Sequence, residues 1–419
     1  MWTRMLRRVE GLMVRRRKRS GEVYFSDTTL RDGEQMPGVR LDPDGKVIIA
    51  RALAEAGIDS LDAGFPAASK DDAEAIRRIV AEVRGPVITA LCRTLRSDVD
   101  LAAECLAGAG PYRKGVTLFA GISPQHLKHK HGKSRAQMLE LIVSSVAYAK
   151  RHFRIVSFGP EDASRADPAF LHEVYREVIA AGATTVGFPD TVGILTPEKA
   201  ADCIKAIQDS VPNIGEALLG VHFHNDLGLA TANALACVAQ GVNIVQGTIN
   251  GLGERAGNTS LEEVALALHL HRDQYKARCR FDPASLHGLG ELVSNFTGVP
   301  IPPNKPVVGA NVFRTEAGIH QDGLLKDVST YVPYLPEVVG AGPVHLVLGK
   351  QSGRHAVRHC LERGGLRLTD AEVELVLDHL KHRACKPVYA TEVDFDELLA
   401  EVFGPPSAGP RRARDAGAA

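Results

Sequence analysis

The sequence contains no run of about 18 consecutive apolar residues, the length that a helix needs to cross a bilayer. Its seven cysteines are scattered, odd in number and never spaced as CxxC, which argues against a disulfide framework and for a reducing compartment. It also lacks an excess of charge of either sign, because 50 basic residues balance 50 acidic ones. This balance gives no indication of nucleic-acid or membrane binding. These absences predict a soluble, cytoplasmic protein.

The composition is that of a globular chain of 419 residues, 44% hydrophobic and 24% charged, with room for one large domain and a smaller one. Residues 1–21 include a basic cluster at 15–19 that no long apolar segment follows, so it is not a secretory signal. We predict a disordered basic extension there, with a polyanion-binding arm as the alternative. Residues 405–419 are rich in Pro, Gly, Ala and Arg and predict a disordered tail.

Between these ends, short apolar segments that predict strands alternate with amphipathic segments that predict helices. The predicted strands are 22–26, 60–64, 86–91, 115–121, 154–159, 184–188, 218–223 and 243–248. The predicted helices are 43–56, 70–83, 97–107, 134–151, 166–181, 197–209, 228–240 and 259–272. Eight strand–helix pairs over about 250 residues are typical of an α/β fold, the (β/α)8 TIM barrel. A doubly wound open sheet is the alternative, but no GxGxxG motif follows the first strand.

The pattern changes after about residue 290. We predict a TIM-barrel catalytic domain at 22–290, a linker or lid subdomain at 291–345 and a small, mainly helical C-terminal subdomain at 346–404. Within the last part, the predicted helices are 352–364, 369–383 and 393–403.

Polar residues follow several of the predicted strands, where a TIM barrel has its active site. The first strand leads into Arg31 and Asp32, which suit an anionic, oxygen-rich substrate and a metal ion, respectively. A solvated turn with a local ion pair is the alternative for that segment alone. The other polar residues at strand ends are Asp62, Arg93, Glu161, Asp162, Asp190 and Thr191.

The seventh strand ends in His222-Phe223-His224. Residues two apart on a strand point the same way, so both imidazoles should enter the barrel mouth. Two neutral imidazoles and one carboxylate are a common set of ligands for a divalent metal, and Asp32 could supply the carboxylate. A single histidine is more often structural, but this spacing at a strand end favours metal binding.

Two further segments allow two interpretations each. The glycine-rich stretch 250–258 ends in Asn258, whose amide oxygen could be another ligand, but the stretch could also be an ordinary loop after a strand. His320 lies beyond the predicted barrel, between glycine and acidic residues. It could act as an acid or base over the barrel mouth, or belong to a surface loop.

Four motifs carry a family resemblance: DTTLRDGEQ at 27–35, HFHNDLG at 222–228, NGLGERAGN at 250–258 and GIHQDG at 318–323. They resemble motifs of the isopropylmalate synthase/homocitrate synthase family of DRE-TIM metallolyases, whose members join acetyl-CoA to a 2-oxo acid. Similarity extends to the segments 64–66, 161–163, 189–193 and 348–354 and covers roughly residues 22–400. The resemblance implies an acyltransferase.

The resemblance also implies a metal site. Asp32, His222 and His224 would hold a divalent ion (Mn²⁺, Mg²⁺, Co²⁺ or Zn²⁺), with Asn258 at or near it. The 2-oxo acid would chelate the ion, which would act as a Lewis acid. Arg31 would stabilise the alkoxide that forms as the keto carbon is attacked.

The remaining roles concern both substrates. By the same resemblance, Thr191 would hold the carboxylate of the 2-oxo acid. Acetyl-CoA would be the co-substrate, and its enolisation and proton transfer would fall to His320 with Glu161 and Tyr331. The resemblance also implies a homodimer, in which the C-terminal region of one chain lies over the barrel of its partner.

The pocket for the side chain of the 2-oxo acid differs from the family pattern. Asp62 stands where the family usually has a glutamate that positions the arginine. Thr117 stands where isopropylmalate synthases typically have a histidine. Gly159 stands where those enzymes tend to have Ser or Cys, and Gly187 where they tend to have Asn. With Leu91, these residues would form the substrate pocket. Their differences from the family pattern could change which 2-oxo acid the pocket accepts.

The resemblance leaves the 2-oxo acid open. The product would be a 2-substituted malate, as in 2-isopropylmalate synthase. The alternatives are homocitrate synthase, which uses 2-oxoglutarate, and the 2-phosphonomethylmalate and 2-phosphinomethylmalate synthases of antibiotic biosynthesis, which use phosphonopyruvate or phosphinopyruvate. A C–C lyase should carry a cysteine in the glycine loop, where this chain has Glu254 and Arg255. A non-catalytic metal-binding protein should have lost a ligand or His320, and all are present.

Overall fold

The computed structural model describes residues 21–382, 388–389 and 392–404. The predicted disordered segments therefore lie outside the described residues, apart from residue 21 itself. The chain divides into two compact units between Pro300 and Ile301. This division lies beyond the predicted end of the barrel domain at residue 290, and the finer subdivision of the C-terminal part stays a prediction.

The first unit is a closed barrel of eight parallel strands in sequence order, with β8 paired to β1. The strands are β1 (Tyr24–Asp27), β2 (Ser60–Asp62), β3 (Val87–Arg93), β4 (Lys114–Gly121), β5 (Ile155–Glu161), β6 (Thr185–Asp190), β7 (Leu218–Phe223) and β8 (Ile244–Gly247). This topology confirms the TIM barrel and excludes the open, doubly wound sheet.

A helix follows each strand. These helices are α1 (Pro43–Glu55), α2 (Lys70–Glu82), α3 (Arg96–Cys105), α4 (Arg135–His152), α5 (Pro168–Ala181), α6 (Pro197–Ser210), α7 (Ala230–Ala239) and α8 (Leu261–Leu270), and α9 (Arg272–Tyr275) and α10 (Leu286–Thr297) complete the unit. N-capping residues define where several helices begin. Asp42 caps α1, Ser69 caps α2, and Ser134 forms a capping box with Gln137 at α4.

The strands bury apolar side chains on one face and present a mixture of small, polar and apolar ones to the barrel interior. On β5, Val156 and Phe158 are fully buried, while Ser157 and Gly159 line the barrel interior. Since side chains alternate along a strand, the apolar core lies between the strands and the helices. The centre of the barrel is correspondingly open.

The second unit combines helices with a small sheet. Its helices are α11 (Gly318–Lys326), α12 (Arg354–Arg363), α13 (Asp370–His382) and α14 (Glu392–Phe403). The last three match the helices predicted there. Their core includes Val357, Leu361, Val376, Leu380 and Leu398. The mainly helical C-terminal unit is thereby confirmed.

The sheet of the second unit was not predicted. It has the order β11 (Val388–Tyr389), β10 (His345–Leu348), β9 (Arg314–Thr315). Gln321, fully buried in α11, donates from Nε2 to the carbonyl oxygens of Thr315 and Val347 at 3.0 and 2.7 Å. The glutamine of the 318–323 motif thus attaches the helix to the sheet.

The helices in the described parts of the chain are too short or too polar to cross a membrane. All six cysteines that the structure describes are free thiols.

Candidate metal centre and active site

Three side chains that could hold a metal ion meet at the carboxyl ends of the barrel strands. Asp32, after β1, lies beside His222 on β7 and His224 just beyond it, and one ligand atom from each lies within 4.8 Å of the others. The Nε2 atoms of the two histidines are 3.3 Å apart, and Nε2 of His222 is 3.8 Å from Oδ2 of Asp32. The structure therefore brings together the predicted ligands from opposite ends of the barrel sequence.

The three groups are held in the forms that bind metals. Burial lowers the pKa of His222 to about 3 and also lowers the pKa of His224, so both imidazoles are neutral. Burial alone would raise the pKa of Asp32, but the positive charge of Arg31 and the hydrogen bond from Asn258 bring it below its ordinary value. Asp32 is therefore a carboxylate.

Two neutral nitrogens and a carboxylate oxygen in a buried cluster fit a divalent ion. One buried acceptor supports this fit: the amide oxygen of Asn258 has no hydrogen-bond partner among the residues that the structure describes. The amide nitrogen of Asn258 donates to Oδ1 of Asp32 at 2.8 Å and to the carbonyl oxygen of Leu252 at 2.9 Å. Asn258 thus orients Asp32, and its role as a direct ligand stays a prediction.

The glycines of the 250–258 loop serve its own packing. A Cβ on Gly253 would lie 2.1 Å from the amide nitrogen of Asn258, and one on Gly257 would lie 1.9 Å from the carbonyl oxygen of Gly251. Both glycines have positive φ, 152° and 87°. The glycines therefore allow the loop to close around Asn258.

Arg31 lies between two carboxylates. Its Nε donates to Oδ2 of Asp62 at 2.8 Å and its Nη1 to Oδ2 of Asp32 at 2.7 Å. Its Nη2 has no hydrogen-bond partner in the described part of the chain, so this nitrogen is available to a substrate oxygen. Asp62 is 1% exposed, and its contact with Arg31 shows that the shorter acid still holds the arginine.

A cavity of about 680 Å³ occupies the barrel interior and reaches the metal centre. The predicted pocket residues Leu91, Thr117, Gly159, Gly187 and Thr191 all line it. Asp62 does not, because it lies behind Arg31. The hydroxyl of Thr191 accepts a hydrogen bond from the backbone N–H of Asp162 at 2.9 Å, so its own proton can be donated to a ligand.

Glu161 also lines the cavity. Its neighbouring residues were not identified from the sequence. Its Oε2 lies 2.5 Å from Nζ of Lys130 and 3.8 Å from Nδ1 of His126. Both partners belong to a short π-helix, His126–His131, that follows β4. The dense run of His and Lys there was the available signal.

His320 and Tyr331 belong to the second unit, on α11 and after it. Their rings stack with centroids 4.1 Å apart, and both side chains are exposed. The structure thus pairs them with each other, and their joint role with Glu161 stays a prediction.

The other polar residues at strand ends are structural. Arg93 makes two hydrogen bonds to the carboxylate of Asp98. Asp162 binds Arg165, and Asp190 accepts from the hydroxyl of Ser164 and the N–H of Leu195. These contacts stabilise the loops around the mouth.

Comparison with family models matches residues 22–293 to the HMGL-like family and residues 307–387 to the homocitrate synthase post-HMGL domain-like family. Among solved structures, hydroxymethylglutaryl-CoA lyase from Pseudomonas aeruginosa has a TM-score of 0.58 at 24% identity, covering 67% of this chain and 95% of that one. The carboxyl transferase domain of Rhizobium etli pyruvate carboxylase has a TM-score of 0.53 at 17% identity, covering 72% and 52%. These two structures support the barrel fold alone.

Curated relatives are more similar. The 2-isopropylmalate synthase of Geobacillus sp. (strain WCH70) is 45% identical over 382 residues, which cover 91% of this chain and 73% of that protein. The 2-isopropylmalate synthase of Pyrococcus furiosus is 43% identical over 383 residues, covering 91% and 76%. The chain therefore belongs to the HMGL-like family, in the group of acyltransferases that includes the 2-isopropylmalate and homocitrate synthases.

Proposed function

We propose that this protein catalyses the divalent-metal-dependent condensation of acetyl-CoA with a 2-oxo acid. Hydrolysis of the thioester would then give a 2-substituted malate and free CoA, as the name of its 2-isopropylmalate synthase relatives suggests. The main support is the cluster of Asp32, His222 and His224 beside Arg31, at the head of an open cavity.

Asp32, His222 and His224 would hold the ion, with Asn258 orienting Asp32. A divalent ion bound there supplies Lewis-acid chemistry toward the oxygens of the 2-oxo acid. Thr191, with its hydroxyl proton available, would donate to the carboxylate of the same acid. These contacts would fix the keto carbon in one orientation.

Condensation needs a base and a donor for the developing oxyanion. A base takes a proton from the acetyl methyl group, and the resulting carbon nucleophile attacks the keto carbon. The new C–C bond forms as the C=O π electrons move to oxygen, where Nη2 of Arg31 would stabilise the negative charge. Water then cleaves the thioester, leaving a carboxylate and the CoA thiol.

We assign the base to His320, supported by Tyr331 and Glu161, as the family resemblance implies. The stacked pair of His320 and Tyr331 gives the imidazole a defined neighbour, and Glu161 is a carboxylate in the cavity wall next to Lys130. For both substrates to meet, the second unit must supply His320 to a barrel. By the same resemblance we also propose a homodimer, which light scattering of the purified protein tests, and a cytoplasmic location.

A second group of acids is favoured by one observation. Gly159 and Gly187 leave open space where the side chain of the acid would lie. This space would accommodate the larger, oxygen-terminated side chains of 2-oxoglutarate, phosphonopyruvate or phosphinopyruvate, so homocitrate, 2-phosphonomethylmalate or 2-phosphinomethylmalate is the alternative product.

The test is release of CoA from acetyl-CoA with Mn²⁺ or Mg²⁺ across 2-oxoisovalerate, 2-oxoglutarate, pyruvate, oxaloacetate and phosphonopyruvate. We expect release that requires both a 2-oxo acid and a metal, and that chelation abolishes. The proposal would be contradicted if metal-loaded protein released no CoA with any of these acids. It would also be contradicted if the protein cleaved a 3-hydroxyacyl-CoA instead.

A further inference from the structure

Arg255 lies in the glycine-rich loop after β8, and the proposed function gives it no role. Its φ is 55°, in the left-handed region that residues other than glycine seldom adopt. The other residues of the loop with positive φ belong to the two types that tolerate it best, and they are Asn250, Gly251, Gly253 and Gly257. An arginine in this conformation indicates that its side chain is needed there.

The side chain of Arg255 joins the loops that follow three neighbouring strands. Its Nε and Nη2 donate to the two carboxylate oxygens of Asp226, after β7, at 2.8 and 3.0 Å. The same Nη2 donates to the carbonyl oxygen of Thr191, after β6, at 2.7 Å. Because the guanidinium is planar, the directions of these bonds are fixed relative to one another. Asp226 therefore holds Arg255 in the position from which it binds Thr191.

A glycine lets the loops after β6 and β7 pack directly against each other. Gly193 has a φ of 63°, and a Cβ on it would lie 2.3 Å from Oδ2 of Asp226 and 2.9 Å from the carbonyl oxygen of His224. No side chain fits between the loops at this point. Asp226 is consequently in contact with the loop that carries Thr191, two residues before Gly193.

Thr191 is thus held from two sides. Its hydroxyl oxygen accepts from the backbone N–H of Asp162, after β5, at 2.9 Å, and its carbonyl oxygen accepts from Arg255. The candidate metal ligand His224 has separate support, because its backbone forms a bridge with that of Asn258. Arg255 therefore affects the position of Thr191 more directly than it affects the metal centre.

We infer that Arg255 is a positioning residue for the 2-oxo acid: held by Asp226, it fixes Thr191 so that the hydroxyl meets the carboxylate of the acid. Thr191 lines the cavity and Arg255 does not, so the arginine acts through the threonine. This inference rests on the proposed function, in which Thr191 donates to that carboxylate. A small displacement of a group that orients a substrate has a large effect on binding and rate.

Arg255→Asn tests this role, because asparagine tolerates the left-handed backbone and is too short to make the same bonds. We expect KM for the 2-oxo acid to rise by about tenfold or more. Calorimetry should show an equal loss of affinity of the Mn²⁺-loaded protein for 2-oxoisovalerate or 2-oxoglutarate. KM for acetyl-CoA and the affinity for Mn²⁺ should stay nearly constant. A merely structural role would change all of these quantities together, through the folded fraction.

Arg93→Asn is the matched control. Arg93 also lies at the mouth of the barrel and also donates two hydrogen bonds to one carboxylate, that of Asp98, which follows the same strand. We expect unaltered affinities and KM values in this variant. Since partly exposed ion pairs contribute little to stability, the urea midpoints of Arg255→Asn and Arg93→Asn should both stay close to that of the unaltered protein.

A double-variant cycle tests whether Arg255 acts through Thr191. Thr191→Val removes the hydroxyl at nearly constant shape, and Thr191→Ser retains it. Residues that act as a unit have effects that do not add, so we expect Arg255→Asn to lower affinity for the acid by less than about threefold in Thr191→Val and by about tenfold in Thr191→Ser. Losses that multiply fully in Thr191→Val would overturn the inference.

The binding measurements need no turnover, so they separate this inference from the proposed condensation. If no acid releases CoA, the condensation fails, while the affinities for the two acids still test Arg255. Absence of binding of both acids to the Mn²⁺-loaded protein would overturn both.

A second variant covers the case in which Arg255→Asn does not fold. Arg255→Lys keeps the charge, but a single ammonium group cannot reproduce the planar set of bonds. We therefore expect it, too, to weaken binding of the acids, by at least about threefold, and to spare acetyl-CoA. Unchanged affinity and KM for the acids in a folded variant of either kind would overturn the inference.

Discussion

Among single residues, His222 has the clearest consequence for function. Its neutral imidazole is one of the three candidate ligands in the buried cluster, so its loss should leave too few donors for tight metal binding. We expect His222→Ala to weaken Mn²⁺ binding by more than about 100-fold, since even supporting residues of metal sites contribute roughly 10–100-fold, and to abolish metal-dependent turnover. Titration calorimetry measures the affinity.

The control is His271→Ala, an exposed histidine of the same unit. It should bind Mn²⁺ like the unaltered protein. Near-normal affinity and turnover in His222→Ala would remove the metal assignment.

Asp27, the first residue of the 27–35 motif, predicts a pH dependence of stability. Burial raises the pKa of Asp27 to about 7, although Thr29 donates two hydrogen bonds to its carboxylate. The folded protein then holds a proton that the unfolded chain has lost, so the contribution of Asp27 to stability is largest at low pH and declines as pH rises from the ordinary value of 3.8 to about 7. The decline is up to about 4 kcal/mol.

Asp27→Asn cannot ionise and should lack this decline. Urea denaturation at pH 5 and pH 8 should therefore show the free energy of unfolding of Asp27→Asn rising relative to the unaltered protein at the higher pH. Asp71→Asn, at an exposed acid, is the control. If the difference in free energy of unfolding between Asp27→Asn and the unaltered protein were equal at both pH values, the raised pKa of Asp27 would be contradicted.

At the scale of elements, Lys46 on α1 connects the loops that follow β1 and β2. It is 1% exposed and contacts Glu34 at 2.6 Å and Asp72 at 2.7 Å. Glu34 also accepts from the N–H of Leu41, and Asp72 from the N–H of Phe65. The buried ammonium thus fixes the segment that presents Arg31 and Asp32.

Lys46→Met would leave two carboxylates without their cation. We expect the free energy of unfolding to fall by about 3–5 kcal/mol, as for other broken buried ion pairs. Denaturation measures this loss, and Arg77→Met, at the exposed pair with Glu104, should cost less than about 1 kcal/mol. Equal losses in both variants would refute the connecting role of Lys46.

The barrel elements were predictable because their patterns are periodic and capped. The strand predicted at 218–223 is β7, and the helix predicted at 197–209 is α6, which Thr196 caps. The π-helix His126–His131 was missed because its run of His and Lys has no apolar period. Strands β9 and β11 were missed because two residues are too few to show alternation.

The candidate site was predictable only in part, for a similar reason. The spacing of His222 and His224 predicts a shared direction, and the structure places Asp32, the carboxylate expected from the sequence, beside them. The partners of Glu161, which are Lys130 and His126, were not identified, since residues of the segment after β4 gain this meaning only from their contacts in the folded chain. Tertiary contacts supply this information, and local patterns do not.

At the scale of the whole molecule, the chain combines a barrel with a second unit that has its own core. Both regions match family models, residues 22–293 and residues 307–387. The barrel holds the predicted metal ligands and the cavity. The second unit holds His320, the residue to which the resemblance assigns proton transfer.

The second unit is thus predicted to take part in the chemistry, and His320→Ala tests it. Since general acid–base catalysis contributes about 10²–10⁴-fold, we expect turnover to fall by that factor. Affinity for acetyl-CoA, measured by calorimetry, should survive, because the imidazole is assigned to the transition state. His345→Ala, at an exposed histidine of the same unit, should leave both unchanged. Unaltered turnover in His320→Ala would mean that the second unit supplies no catalytic base, and Glu161 in the barrel wall would become the base to test next.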